Sequence, residues 1–105
     1  ESIFSSMKKG VFVVNIARGP VIDYTALRNA LKEGRVAGAG LDVFWQEPFD
    51  PNDPIMEENI IPTPHIGGGT ERSLRGIGEA VGANIERLKR GKIPTSCVNP
   101  EVGIS

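Results

Sequence analysis

Four ionisable side chains follow short apolar segments of this sequence and could together form a reactive site. In chain order they are Arg18, Asp42, Glu47 and His65, and His65 is the only histidine. Ligands of open α/β sheets bind beyond the carboxyl ends of the strands. If the apolar segments are strands of one parallel sheet, these four side chains are expected along the same edge.

The residue types indicate a particular chemistry. The planar guanidinium of Arg18 can bind a carboxylate through two parallel hydrogen bonds. His65 is the side chain best suited to exchange a proton near neutral pH. A glutamate paired with it, such as Glu47, would favour the imidazolium and orient the ring. Such a group would hold a 2-oxo or 2-hydroxy acid and move its proton, and a hydride would have to come from a cofactor.

Each of these side chains also has a simpler interpretation that the residue types leave open. Arg18 could be a solvated turn residue, and Glu47 could be an ordinary loop residue beside Pro48. His65 could be a structural histidine with satisfied hydrogen bonds, and Asp42 could cap a turn. Spacing and residue type alone do not decide between the two sets of interpretations.

The elements that must position the four side chains form a strand–helix–strand pattern. The apolar run Val11–Asn15 predicts a strand that is buried on both faces of a parallel sheet. Asp23 is a suitable N-cap for a helix over 24–33, and Gly34 would end that helix. A second strand is expected over 36–43, which makes a right-handed βαβ unit.

The flanking segments add two helices and a loop. A short helix is expected over 2–9, stopped by Gly10, and a proline-rich surface loop over 48–64 contains a possible short strand at Ile60-Ile61. The longest helix is predicted from Thr70 to about Arg90. It carries one apolar stripe at helical spacing, formed by Leu74, Ile77, Val81, Ile85 and Leu88.

Composition excludes several classes of protein. The 105 residues suffice for one small domain, and 39% hydrophobic with 24% charged residues indicates a globular chain. A net charge of −1 without a basic cluster argues against nucleic-acid and anionic-membrane partners. Cys97 is the only cysteine, so an intramolecular disulfide is excluded and no metal site is expected. No targeting signal is recognised, and we expect a cytoplasmic protein.

Four strings of residues resemble the D-2-hydroxyacid dehydrogenase family in their order and spacing. They are NIARGPVID at 15–23, AGLDVF at 39–44, EP at 47–48 and TPHIGG at 63–68. The resemblance covers nearly the whole chain. It implies an α/β fold, namely the C-terminal part of a Rossmann-like doubly wound parallel-sheet NAD(P)-binding domain, followed by a long helix that returns toward the substrate domain.

The resemblance also implies roles for individual residues. Arg18 would bind the substrate carboxylate and approach the cofactor, NAD or NADP. His65 would give a proton to the substrate carbonyl or take it back, and Glu47 would pair with His65. Asp42 would lie near the nicotinamide. The cofactor contacts implied by the resemblance are Ile16, Ala17, Arg18, Asp42, His65, Ile66, Gly67 and Gly68.

The same resemblance implies how the chain is divided and what it lacks. Residues 1–69 would belong to the NAD(P)-binding domain, 70–91 would form the connecting helix, and 92–105 would be the tail of the substrate domain. A G-x-G-x-x-G phosphate loop is not found in the sequence. The resemblance places that loop upstream, so we expect the isolated chain to be inactive and the full-length enzyme to be a homodimer.

Two alternatives stay open alongside a dehydrogenase of 2-oxo and 2-hydroxy acids. Corepressor-like proteins resemble these enzymes without being catalysts, and the chain could be such an NAD-binding protein or a catalytically dead truncated remnant.

Formate is disfavoured as substrate, because similar formate dehydrogenases have glutamine where this chain has Glu47. Trp45 could line the substrate pocket, although packing of its loop against the body of the domain is favoured.

Overall fold

A computed structural model of the chain describes residues 3–102, which belong to two compact units divided between residues 67 and 68. The first unit contains a three-stranded sheet and two helices. Its elements are α1 (Ile3–Ser6), β1 (Val11–Asn15), α2 (Tyr24–Lys32), β2 (Val36–Leu41) and β3 (Ile60–Pro62), with 3₁₀ turns at Gly19–Val21 and Pro54–Glu57. The second unit contains α3 (Glu71–Lys89) and a 3₁₀ turn at Pro100–Val102.

The sheet is parallel and has the strand order β1-β2-β3. Asn15 at the end of β1 is opposite Leu41 at the end of β2, and Leu41 is opposite Pro62 at the end of β3. The predicted βαβ unit is therefore confirmed, and so is the short third strand. Because all three strands end level with one another, the segments that follow them emerge at the same edge.

Helix α2 connects β1 to β2 and covers one face of the sheet. Its N-cap is Asp23, whose side chain accepts a hydrogen bond of 2.7 Å from the backbone N–H of Ala26, as predicted. Gly34, at φ +64°, follows the helix and supplies the left-handed turn that favours glycine. The largest fully buried side chains of the core are Leu27, Leu41, Ile55, Val36 and Val43.

The prediction that β1 is buried on both faces is wrong for the described residues. Val13 packs against the core, but Phe12 and Val14 are 77% and 70% exposed. The reason is positional, because β1 is an edge strand and the helices of the first unit cover only the opposite face. Across the uncovered face, Phe12 and Val14 lie opposite Gly38 and Gly40 of β2.

Three predicted boundaries also differ from the structure. The first helix covers only Ile3–Ser6 of the expected 2–9, and Ser2 lies outside the described residues. The second strand ends at Leu41 rather than at residue 43, because both of its neighbours end at that level. The long helix begins at Glu71, since Thr70 is its N-cap and accepts a hydrogen bond of 3.1 Å from the Ser73 N–H.

In the second unit, the segment after α3 turns back onto the helix. Asn84 Oδ1 accepts hydrogen bonds from the backbone N–H and the hydroxyl of Thr95, at 2.8 and 2.9 Å. Arg87 Nε donates to the carbonyl of Ile93 at 2.8 Å. The predicted apolar stripe of α3 is exposed along its whole length. Among residues 3–102, no helix is both long and apolar enough to span a bilayer.

Candidate active site

Arg18 lies in a turn that the Asn15 side chain stabilises by hydrogen bonds. The Asn15 side chain is buried at the end of β1, where its Nδ2 donates to the Arg18 carbonyl at 2.9 Å and its Oδ1 accepts from the Ala17 N–H at 3.1 Å. The exposed Arg18 guanidinium donates to the Ala17 carbonyl at 2.6 Å. Sequence reasoning missed this role of Asn15, although a polar residue that ends an apolar strand was a visible signal.

Glu47 and His65 form a close pair of ionisable side chains in the first unit. Glu47 Oε2 lies 2.6 Å from His65 Nδ1, and Glu47 Oε1 accepts a hydrogen bond of 3.0 Å from the backbone N–H of Phe44. The two side chains are 38% and 42% exposed, so the pair is open to a ligand. The loop that follows β2 and the segment that follows β3 therefore meet, as the sequence predicted.

The hydrogen bond to His65 is the main reason that the pKa of Glu47 lies below its ordinary value. The Phe44 N–H lowers this pKa further, burial of the carboxyl opposes the change, and the positive charges of His65 and Arg18 contribute smaller amounts. Glu47 is therefore a carboxylate near neutral pH. The positive charge of Arg18 also acts on Glu47, as the smallest of these contributions.

Asp42 has a role that the sequence did not reveal. It is buried at the end of β2, and it accepts three hydrogen bonds from the segment that carries His65. The donors are the Thr63 hydroxyl at 2.5 Å, the Ile66 N–H at 3.0 Å and the Gly67 N–H at 2.9 Å. These donors lie on both sides of His65, whose φ of +55° is a conformation that non-glycine residues seldom adopt. Asp42 therefore holds the backbone that presents His65.

The same hydrogen bonds lower the pKa of Asp42 below its ordinary value of 3.8. The Thr63 hydroxyl has the largest effect and the Gly67 N–H the next, burial acts in the opposite direction, and the Ile66 N–H and the His65 charge add to the lowering. A carboxyl whose pKa is lower in the folded chain stabilises the fold above its unfolded pKa. That contribution is lost as the pH falls through the folded pKa.

We expect Asp42→Asn to lower the free energy of unfolding of the first unit at pH 7. The amide has an NH₂ group in place of one carboxylate oxygen, so at least one of the three donors loses its acceptor, and the negative charge is lost as well. The difference from the wild type should begin to shrink as the pH falls below about 4, where the carboxyl of the unfolded wild-type chain takes up a proton, and should continue to shrink as the pH falls through the lower pKa of the folded chain. Denaturant unfolding followed by the fluorescence of Trp45, the only tryptophan, measures this at each pH.

Asp50→Asn is the matched control for that experiment, since it removes one carboxylate from an exposed turn of the same unit. It should change the unfolding free energy little at either pH. An Asp42→Asn chain that loses the same amount of stability at pH 3 as at pH 7 would contradict the charge-dependent role of Asp42.

A cavity of about 580 Å³ opens beside the Glu47–His65 pair. The two side chains of the pair are the only ionisable groups in its wall. The rest of the wall is apolar and is formed by Phe44, Pro48, Phe49, Pro51 and Pro64. The cavity therefore offers an apolar surface with one polar end, which is the general form of a small-molecule site.

Trp45 packs against the body of the first unit, in agreement with the interpretation that the sequence favoured. Its indole Nε1 donates to the carbonyl of Ile22 at 2.7 Å. Its ring meets the ring of Tyr24 edge-to-face, with 5.0 Å between the centroids. Trp45 does not belong to the wall of the cavity beside Glu47 and His65.

The residues expected to contact a cofactor emerge at the edge where the strands end. Ile16 and Ala17 follow β1 directly and are exposed, with Ile16 at 73%. Ile66 and Gly67 follow β3, and a Cβ added at Gly67 would lie 2.8 Å from Asp42 Oδ2. The exposed apolar side chains of Ile16 and Ile66 at this edge fit the flat nicotinamide end of a dinucleotide, whereas the missing side chain of Gly67 makes room for Asp42.

Gly68 is exposed and begins the second unit. The cofactor contacts expected for all eight of these residues stay predictions. Among residues 3–102, the structure contains no group of three or more His, Cys, Asp or Glu side chains that could hold a metal ion.

Comparisons with known proteins connect this geometry to a family. Residues 1–67 match the model of the D-isomer specific 2-hydroxyacid dehydrogenase, NAD binding domain. A glyoxylate reductase of Pyrococcus horikoshii is 48% identical over 96 residues, which cover 91% of this chain and 29% of the relative. The chain thus spans under a third of the length of the curated relatives it matches.

Solved structures give the same result. A D-isomer specific 2-hydroxyacid dehydrogenase from Xanthobacter autotrophicus Py2, in complex with NADPH and MES, has a TM-score of 0.78 at 33% identity, covering 96% of this chain and 41% of that one. The holo form of D-mandelate dehydrogenase from Rhodotorula graminis has a TM-score of 0.72 at 38% identity, with 90% and 29% covered. The parallel sheet, the match over 1–67 and these relatives show that the chain belongs to the family of D-isomer-specific, NAD(P)-dependent 2-hydroxyacid dehydrogenases.

Proposed function

We propose that residues 1–105 supply the carboxylate-binding and proton-transferring part of a D-2-hydroxyacid dehydrogenase. We call that enzyme the complete enzyme; it would contain these residues together with the further cofactor-domain and substrate-domain segments that the relatives carry. Residues 1–69 would belong to its cofactor domain, 70–91 would form a connecting helix, and 92–105 would be the tail of the substrate domain. The observation that carries the proposal is the bond of 2.6 Å between Glu47 Oε2 and His65 Nδ1.

In this proposal the three side chains divide the work of reducing a 2-oxo acid. Arg18 binds the substrate carboxylate with its planar fork and thereby fixes the position of the adjacent carbonyl group. His65, in its imidazolium form, gives a proton to the carbonyl oxygen as negative charge develops there. Glu47 keeps Nδ1 of His65 hydrogen-bonded and stabilises the imidazolium. In the oxidation direction His65 takes the proton back from the hydroxyl group.

NAD or NADP, when bound, supplies or accepts the hydride. The nicotinamide end would lie against Ile16, Ala17, Arg18 and the backbone of residues 65–68, at the edge where the strands end. Asp42 would act on the cofactor indirectly, by holding the segment that carries His65, because both of its carboxylate oxygens already accept hydrogen bonds from that segment.

The substrate would be a small 2-oxo acid or the matching D-2-hydroxy acid. The relatives include a glyoxylate reductase and a D-mandelate dehydrogenase, and the substrates of those names share a carboxylate beside the reacting carbon. The apolar cavity beside His65 could receive the remaining part of such a molecule. The proposal further includes a homodimer that works in the cytoplasm.

The experiment that tests the proposal is a Glu47→Gln substitution in the complete enzyme. Glutamine keeps the size of the side chain but removes the negative charge that stabilises the imidazolium form. The reduction rate should therefore begin to fall at a more acidic pH than in the wild type. Oxidation needs the neutral imidazole and should gain at that same lower pH. The measurement is kcat/KM against pH in both directions.

Glu57→Gln is the matched control, because Glu57 is an exposed glutamate of the same unit in the 3₁₀ turn before β3. Its pH profiles should coincide with those of the wild type. If the Glu47→Gln profiles are also unshifted in both directions, Glu47 has no part in proton transfer and is a loop residue.

A further inference from the structure

Gly19 is buried at the point where the Arg18 turn touches the loop after β2. A Cβ atom added at Gly19 would overlap the backbone carbonyl group of Phe44 and lie 2.6 Å from the backbone nitrogen of Trp45. Both groups belong to the main chain, so the overlap cannot be relieved by the movement of a side chain. Only a residue without a side chain allows the two segments to approach this closely.

Phe44, whose carbonyl group faces Gly19, also holds Glu47 through its own N–H, which belongs to the preceding peptide group. The N–H of Phe44 donates to Glu47 Oε1 at 3.0 Å, and Glu47 Oε2 is bonded to His65 Nδ1. On the other side, Gly19 follows Arg18 directly. A continuous series of contacts therefore runs from Arg18 through Gly19 and Phe44 to Glu47 and then to His65.

We propose that Gly19 is a positioning residue that sets the distance between the Arg18 turn and the main chain of Phe44, so that the carboxylate-binding and proton-transferring side chains are placed as one unit. The catalytic consequence rests on the function proposed above. The contact between the two segments is a property of the 105-residue chain itself, and it can be tested there without cofactor or substrate.

Another glycine of the same unit shows what is particular to Gly19. A Cβ at Gly40, in the middle of β2, would lie 3.7 Å from a methyl group of Val14, which is an ordinary van der Waals contact. Gly40→Ala thus adds the same methyl group to the same unit without pushing on another backbone. It is the matched control for Gly19→Ala.

The test uses the isotopically labelled 105-residue chain and two NMR measurements. In Gly19→Ala the added methyl must displace the peptide group between Phe44 and Trp45. Phe44 must shift with it, which weakens the hydrogen bond from the Phe44 N–H to Glu47. The amide hydrogen of Phe44 should then exchange about tenfold faster, the factor that corresponds to a hydrogen bond of ordinary net strength. The pKa of Glu47, followed by its side-chain ¹³C signal, should rise, because the Phe44 N–H and the His65 ring that hold it low are both disturbed. The charged groups that face Glu47 during this titration are His65 and Arg18.

Gly40→Ala should leave both measurements at wild-type values. If Gly19→Ala folds and also leaves both unchanged, the proposal is overturned. If it does not fold, Trp45→Phe decides, since it removes the Nε1 hydrogen bond to Ile22, another tie between the same two segments, and adds no atom. Faster Phe44 exchange with a raised Glu47 pKa then supports the proposal, and wild-type values overturn it. An inactive complete enzyme would contradict the proposed function, but it would not change the conclusion about Gly19 drawn from these two measurements on the 105-residue chain.

Discussion

Replacing His65 by alanine is expected to lower kcat of the complete enzyme by about 10²- to 10⁴-fold, the range that a positioned general acid contributes. Reduction of a ketone leaves oxyanion character that a proton must neutralise, and His65 is the only histidine of the chain. Because Nδ1 is occupied by Glu47, the other ring nitrogen is left for the substrate. The loss should fall on kcat in both directions, since the same imidazole moves the proton each way.

His65→Asn distinguishes the loss of the proton donor from a disturbance of the backbone at residue 65. His65 has a φ of +55°, a conformation that asparagine tolerates better than most residues. The asparagine variant should therefore keep the fold of the 63–67 segment and still lose activity to the same extent. Added imidazole should restore part of the rate of His65→Ala, because it can enter the space left by the ring. Wild-type kcat in either variant would remove His65 from the chemical step.

The second large effect is expected for Arg18→Lys in the complete enzyme. Lysine keeps the positive charge but cannot offer the two parallel donors of the guanidinium. Losing one charge-assisted hydrogen bond to the carboxylate should lower kcat/KM by about 10- to 100-fold. A rise in KM should accompany a fall in kcat, because a substrate held at one point presents its carbonyl to His65 less often in the reactive geometry.

Steady-state kinetics on a 2-oxo acid and on the corresponding 2-oxo amide measure this directly. Wild type should strongly prefer the acid, and Arg18→Lys should reduce that preference. Arg35→Lys is the control, since Arg35 is an arginine of the same unit whose guanidinium donates to the Met7 carbonyl away from the site. If Arg18→Lys retains wild-type kinetics and preference, Arg18 does not bind the carboxylate.

Local patterns carried most of the fold that could be predicted. The apolar run that became β1, the Asp23 cap and the glycine after α2 act over a few residues, and each is present in the structure. The meeting of Glu47 with His65 could also be predicted, because parallel strands end at a common edge. These inferences need only chain order and the geometry of regular elements.

Other contacts between distant segments could not be read from the sequence. Asp42 ends a strand just as a cofactor-contacting acid would, and only the folded chain shows that Thr63, Ile66 and Gly67 donate to it. Gly19 looks like one residue of a turn until the Phe44 peptide is seen against it. The exposure of β1 was missed for a similar reason, since an apolar run does not tell which of its faces the nearby helices cover.

The uncovered face of the sheet affects how soluble the first unit is on its own. Phe12, Val14 and Ile61 are exposed there, and among residues 3–102 no strand pairs with the outer edge of β1. An apolar edge strand of this kind is a template for aggregation. Because these three side chains lie outside the buried core, polar residues could replace them to improve solubility while the packing around Leu27 and Leu41 stays intact.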